Sequence, residues 1–171
     1  MSYKRKIREE LSELERKLNE RYMVVALLGA GGKRIDERRK IGRRLESDGI
    51  VALIPEDDFP EFAPSLIEEV IFEKADIDLV FINIESWGTV AEFAQFHDKK
   101  EIAAKLRVLV QHSYHPLYGA STSYLTDLYL THLAKYGHVY ACGGRGRFPT
   151  PERVIRILAK RFRELKFLGK I

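Results

Sequence analysis

Residues 86–92 read Ser-Trp-Gly-Thr-Val-Ala-Glu and follow the apolar run Ile-Asp-Leu-Val-Phe-Ile-Asn-Ile. A carboxylate, Glu92, therefore stands about one turn into a helix that starts directly after a buried strand. Two chemistries fit this placement. Thr89 and Glu92 have the T-x-x-E spacing of a capping box, in which each side chain satisfies a backbone N–H of the other. A glutamate used in that way is stabilising and chemically idle. Alternatively, the carboxylate faces a ligand and does chemistry there, as a nucleophile or as an acid. The helix dipole favours an anion at that position, so the expected pKa of Glu92 is lowered. This suits a nucleophile and disfavours an acid. The acid role then falls to Glu68, Asp57 or Asp58.

Four further stretches carry candidate chemistry. In LLGAGGKR, residues 27–34, a strand runs into Gly29, Gly31 and Gly32 before a helix begins. Such glycines let backbone approach a ligand, and the helix N-terminus offers free N–H groups to an anion. The dinucleotide fingerprint is incomplete, because Arg34 stands at its third glycine position, and no cofactor is expected. In ACGGRGRFPTPE, residues 141–152, Gly144 and Arg145 belong to a loop that reads as a phosphate cradle or as solvated surface. In PEDDFPEF, residues 55–62, Asp57 and Asp58 are either ligand contacts or an acidic turn. In QHSYHPLYGASTSY, residues 111–124, His112 and His115 lack companion ligands, so no metal site is expected. Tyr114 and Tyr118 in that stretch, with Trp87, are the aromatics expected around a nucleobase. Cys142 reads as a buried strand-end residue.

The elements that must position these residues alternate. Helices are expected over residues 3–20, 36–47, 64–75, 89–99, 121–135 and from 150 to about 168. Ser65 and Glu68 have capping-box spacing at the start of the third of these. Short Val/Ile/Leu-rich strands are expected over 23–28, 50–54, 77–84, 106–111 and 138–141. Continuous apolar strands separated by helices imply a parallel sheet covered on both faces. The expectation is a single-domain, doubly wound, five-stranded Rossmann-like α/β fold in the order 2-1-3-4-5. An extra N-terminal helix, residues 1–20, precedes the domain at 21–171. In that order the first and third strands are neighbours, and the GAGG and SWGTVAE loops share the crevice at the sheet's switch point. The first helix has an apolar seam at Ile7, Leu11, Leu14 and Leu18 that packs on its own domain or on a partner subunit.

The segment ADIDLVFINIESWGTVAEFAQF resembles the central motif of nucleoside 2-deoxyribosyltransferase-like proteins, which include the 2′-deoxynucleoside 5′-phosphate N-hydrolases. The hydrolase branch carries Ser-x-Gly followed by Glu, matched here by Ser86, Gly88 and Glu92. The resemblance covers roughly residues 23–98. It implies Glu92 as nucleophile at C1′, with Ser86 and Gly88 near a 5′-phosphate. It places sugar and phosphate at the GAGG loop. Glu68 matches an acid that is typically Asp in the family. The SLOG group of Rossmann-like nucleotide binders also carries G-T-x-x-E after a strand. Its phosphoribohydrolases expect Pro-Gly-Gly before that motif, where this chain has Glu85-Ser86-Trp87. The expected activity is cleavage or transfer at the N-glycosidic bond of a nucleoside or nucleotide. The alternative is a non-catalytic nucleotide-binding sensor. The family completes its pockets with neighbouring subunits, which implies a homo-oligomer.

Composition bounds the remaining options. The 171 residues are 45% hydrophobic and 32% charged, a globular profile. No apolar run approaches the roughly 20 residues needed to span a bilayer. The charged N-terminus has no secretory h-region. One cysteine excludes an internal disulfide and fits a cytoplasmic location. The net charge of +4 arises from mixed charges along helices, so polymeric nucleic acid is not an expected partner.

Overall fold

A computed structural model describes residues 2–74, 76–143 and 152–171. The chain opens with α1 (Tyr3–Asn19), β1 (Val24–Leu28), α2 (Lys33–Ser47) and β2 (Val51–Leu53). It continues through α3 (Pro55–Asp58), α4 (Pro64–Lys74), β3 (Leu79–Asn83) and α5 (Trp87–Phe96). The remainder is α6 (Lys100–Ala103), β4 (Leu106–Gln111), a 3-10 turn (His112–Tyr114), α7 (Tyr124–Tyr136), β5 (Val139–Cys142) and α8 (Glu152–Phe167). The strands form one sheet ordered β2-β1-β3-β4-β5, and every neighbouring pair is parallel. This is the doubly wound, Rossmann-like arrangement expected from the alternation of apolar runs and helices.

Each face of the sheet has its own apolar layer, because alternate strand residues point to opposite sides. Val24, Ala26 and Leu28 of β1 join Phe72 of α4, Phe93 of α5 and Tyr129 of α7. Val25 and Leu27 join Ile41 of α2 and Ile155 of α8 on the other side. The β1 and β3 strands are buried at every position, which is why they read as continuous apolar runs rather than as alternating ones.

Several helix boundaries differ from expectation. The α2 helix begins at Lys33, three residues early, because Gly32 with φ +64° turns the chain directly into it. That backbone conformation favours glycine. The α4 helix starts at Pro64, as expected, so Ser65 lies inside the helix rather than at its cap. Pro at a first helical position loses no hydrogen bond, and this decides the start. The Pro-Glu-Asp-Asp stretch is the one-turn helix α3, not a simple acidic turn.

The α1 helix has no buried residue. Its C-terminal end is held where Arg163 Nη2 donates to Asn19 Oδ1 at 3.4 Å. Ile7, Leu11 and Leu14 remain exposed along its seam. Among the described residues, no helix is long and apolar enough to cross a membrane.

Candidate functional site

The loop into α5 is tied by its own side chains. Ser86 is the N-cap and its Oγ accepts from Thr89 N at 3.3 Å. Thr89 Oγ1 accepts in turn from Ser86 N at 3.0 Å. The capping box is therefore Ser86–Thr89, one frame earlier than the Thr89–Glu92 box that the spacing permits. Ser wins because α5 begins at Trp87, immediately after it. Glu92 is left out of the cap and is free for another role.

Glu92 lies within reach of the charge of Glu68, a buried residue of α4. Burial pushes the Glu92 carboxyl up to about 8, helped by the nearby charges of Glu68 and Glu56 and opposed by Arg38. Burial likewise pushes Glu68 up to about 7, with Glu56 adding to the rise and Arg38 opposing it. The expected lowering by the helix dipole does not occur. Desolvation of a carboxylate outweighs a dipole that fades beyond the first turn. Glu92 Oε2 is buried without a hydrogen-bond partner among the described residues.

Arg38 is the cation of this cluster. It reaches from α2 over the end of β1. Nη1 donates to Leu27 O at 3.2 Å and Nη2 to Ala30 O at 2.8 Å. The same two nitrogens meet Glu56, Nη1 to Oε2 at 2.8 Å and Nη2 to Oε1 at 2.7 Å. Arg38 Nε is buried without a partner among the described residues. The paired geometry is the bidentate guanidinium–carboxylate fork. Four charged groups from α2, α3, α4 and α5 thus converge at the C-terminal edge of β1 and β3, where open α/β sheets bind ligands.

The GAGG glycines divide into three cases. Gly29 makes room for Arg38. Gly32 is required by its positive φ. A Cβ on Gly31 would meet nothing within 4 Å. Among the described residues, no side chain caps the start of α2, which leaves N–H groups there for an anion.

Asp57 and Asp58 do not join the cluster. Asp57 pairs with Arg39, Oδ1 accepting from Nη2 at 2.6 Å on the surface. Asp58 Oδ2 accepts from Ile54 N at 2.7 Å and ties off α3. The acid that matters in this stretch is Glu56, and the sequence reading missed it along with Arg38. Pro-Glu-Asp-Asp presents three adjacent carboxylates, and only the helical turn of α3 selects the first. Arg38 looked like one of many solvated helix charges. Gly144 and Arg145 lie outside the described residues.

A cavity of about 640 Å³ opens on the other side of α5. Its walls include Ser86, Trp87, Val90, Val110, Tyr114 and Tyr129. Gly88 sits at the same helix end, where an added Cβ would touch only Ser86 Oγ, at 3.6 Å. Glu92 does not line this cavity. Val90 does, and two helical residues turn a side chain by about 200°. Tyr118 is also apart, stacked on His115 at 4.7 Å between ring centroids, so the three expected aromatics do not form one platform. His115 serves the fold: its Nε2 bonds Val139 O at 3.0 Å and its Nδ1 accepts from Leu117 N at 3.2 Å. Cys142 is buried at the end of β5, as expected, and its thiol is pushed up to about 11 by burial. Among the described residues, no three His, Cys, Asp or Glu side chains converge to hold a metal ion.

No family model matches the chain, and no curated protein matches it either.

Proposed function

We propose that this protein cleaves or transfers the N-glycosidic bond of a nucleoside or nucleotide, with Glu92 as nucleophile and Glu68 as acid. The observation that carries the reading is the pair of desolvated carboxyls, raised to about 8 and about 7, from two helices at the sheet's ligand-binding edge. Such a pair shares a proton near neutral pH and supplies both states that the reaction needs. The Glu92 carboxylate bonds to C1′ as the C1′–N bond breaks, and the departing base takes the Glu68 proton. Water or a second base then attacks C1′, passes its proton to the Glu68 carboxylate and releases Glu92.

Burial raises both carboxyls, and positive charge growing at C1′ favours the Glu92 anion as the reaction proceeds. The open start of α2 and its Gly29–Gly32 loop are suited to the sugar or a phosphate. Ser86, Gly88 and Thr89 hold the second helix end beside it.

A second reading is a nucleotide-binding sensor without turnover. It is favoured by the buried Oε2 of Glu92 and by the absence of Glu92 from the cavity wall. We further propose a cytoplasmic location, on the single free cysteine. We also propose a homo-oligomer in which a second copy covers the exposed α1 seam.

The test is release of free base from NAD, nucleosides and nucleoside 5′-monophosphates, with Glu92→Gln alongside. The expected result is turnover that falls at least about 100-fold in the variant. Saturable nucleotide binding with no base released by the parent protein would instead establish the sensor.

A further inference from the structure

We propose that the cavity between α5 and α7 binds an uncharged planar heteroaromatic ring, a nucleobase or its nucleoside, at a site separate from the carboxyl pair. Its volume of about 640 Å³ is that of a small-molecule site, which commonly spans about 300–1,000 Å³. Ile84, Val90, Val110 and Leu125 give it apolar walls. Trp87 and Tyr114 stand at its mouth, and Trp87 is 89% exposed. Neither ring stacks on another described aromatic ring. A large exposed indole beside an apolar cleft is a stacking surface for a flat ligand.

The polar groups of the cavity specify the ring's edge. Tyr129 is 1% exposed and packs on Phe93 at 5.1 Å between centroids. It lines the cavity, where a phenolic hydroxyl can donate to a ring nitrogen or carbonyl. Gln111, at the end of β4, adds an amide that both donates and accepts.

Charge argues for a neutral ligand. Arg34 and Glu85 line the cavity, but each is already engaged. Arg34 Nη1 donates to both oxygens of Glu37 at 3.1 Å, and Arg34 Nε lies 3.9 Å from Glu85 Oε2. Glu85 Oε1 accepts from Asn83 Nδ2. Among the described residues, the two charged wall residues offset each other and leave no surplus cation for a phosphate. At the two helix ends beside the cavity, Thr89 N and Thr126 N already donate to their Ser caps.

Trp87 is the chain's one tryptophan, so its fluorescence reports on this site. Adenine, uracil, adenosine and adenosine 5′-monophosphate are titrated into the full chain, with cyclohexanecarboxamide as a non-planar control and calorimetry as a second readout. Saturable quenching by a base or by adenosine, no tighter binding of the monophosphate, and no response to the control are expected. Tyr129→Phe and Gln111→Leu should each weaken binding at least five-fold, and Glu92→Gln should leave it within two-fold. The proposal is overturned by non-saturable quenching, by tighter binding of the monophosphate, or by parent-like binding in both wall variants. Loss of binding in Glu92→Gln would move the ring to the carboxyl pair and overturn it as well. Because this readout needs no turnover, its failure is distinct from failure of the glycosidic reading.

Discussion

The Arg38 side chain occupies the space that a Cβ on Gly29 would enter: Nε would lie 3.1 Å and Cδ 3.2 Å from that atom. Arg38 cannot easily yield, because Leu27 O, Ala30 O and Glu56 hold its guanidinium. Gly29→Ala is therefore expected to cost about 1–3 kcal/mol, as overpacking does. Gly31→Ala, which enters open space, should fall within about 0.5 kcal/mol of the parent. Denaturant unfolding of both variants checks this, and equal stabilities would remove Arg38 from its assigned place.

Stability should fall as the pH rises from about 6.5 to 9. Glu92 at about 8 and Glu68 at about 7 are both raised from 4.5. Their stabilising contribution is complete below 4.5 and is lost as the pH climbs through 7 and 8. His132 and His138, both lowered to about 4 by burial, act in the opposite sense. Their contribution is present above 6.5 and is lost as the pH falls through 4, so they partly cancel the carboxyls below 6.5. The carboxyl effect is thus clearest above that point. A tenfold change in proton affinity is worth about 1.4 kcal/mol. Thermal melts across this window should slope downward, and Glu92→Gln should flatten them. An unchanged slope in the variant would show that Glu92 is not the buried acid.

Ser86, rather than Glu92, should carry the capping energy of α5. Ser86→Ala is expected to lower stability by about 0.5–2 kcal/mol, because Thr89 N loses its acceptor. Glu92→Ala at pH 9 removes a buried charge, with a smaller loss or a gain as the result. Urea unfolding of the two variants at pH 9 ranks them. A larger loss in Glu92→Ala would return that residue to a structural role.

The exposed seam of α1 predicts assembly. Leu11→Glu combined with Leu14→Glu should leave the fold intact, since no α1 residue is buried, while lowering the mass measured by light scattering. A parent protein that is already monomeric at high concentration would reject the oligomer.

The sequence by itself determined the sheet. Five apolar runs separated by amphipathic segments leave little choice but parallel strands covered on both faces. Glycine and proline punctuation placed most ends within a few residues. Glu92 stands out by its place after the third strand and Glu68 through the family resemblance, while the T-x-x-E capping spacing at Glu92 is not used by the folded chain. Tertiary structure decided what those residues are. Desolvation, which depends on α4 and α5 closing over the same strand ends, raised both carboxyls, Glu92 among them despite the lowering expected from its helix dipole. Arg38 and Glu56 lie 18 residues apart, and no local pattern announces that they meet. A helical turn of about 200° between Val90 and Glu92 set the aromatic cavity and the carboxyl pair on opposite sides of α5. Periodicity is written along the chain, whereas burial and proximity of charge exist only once distant segments have packed.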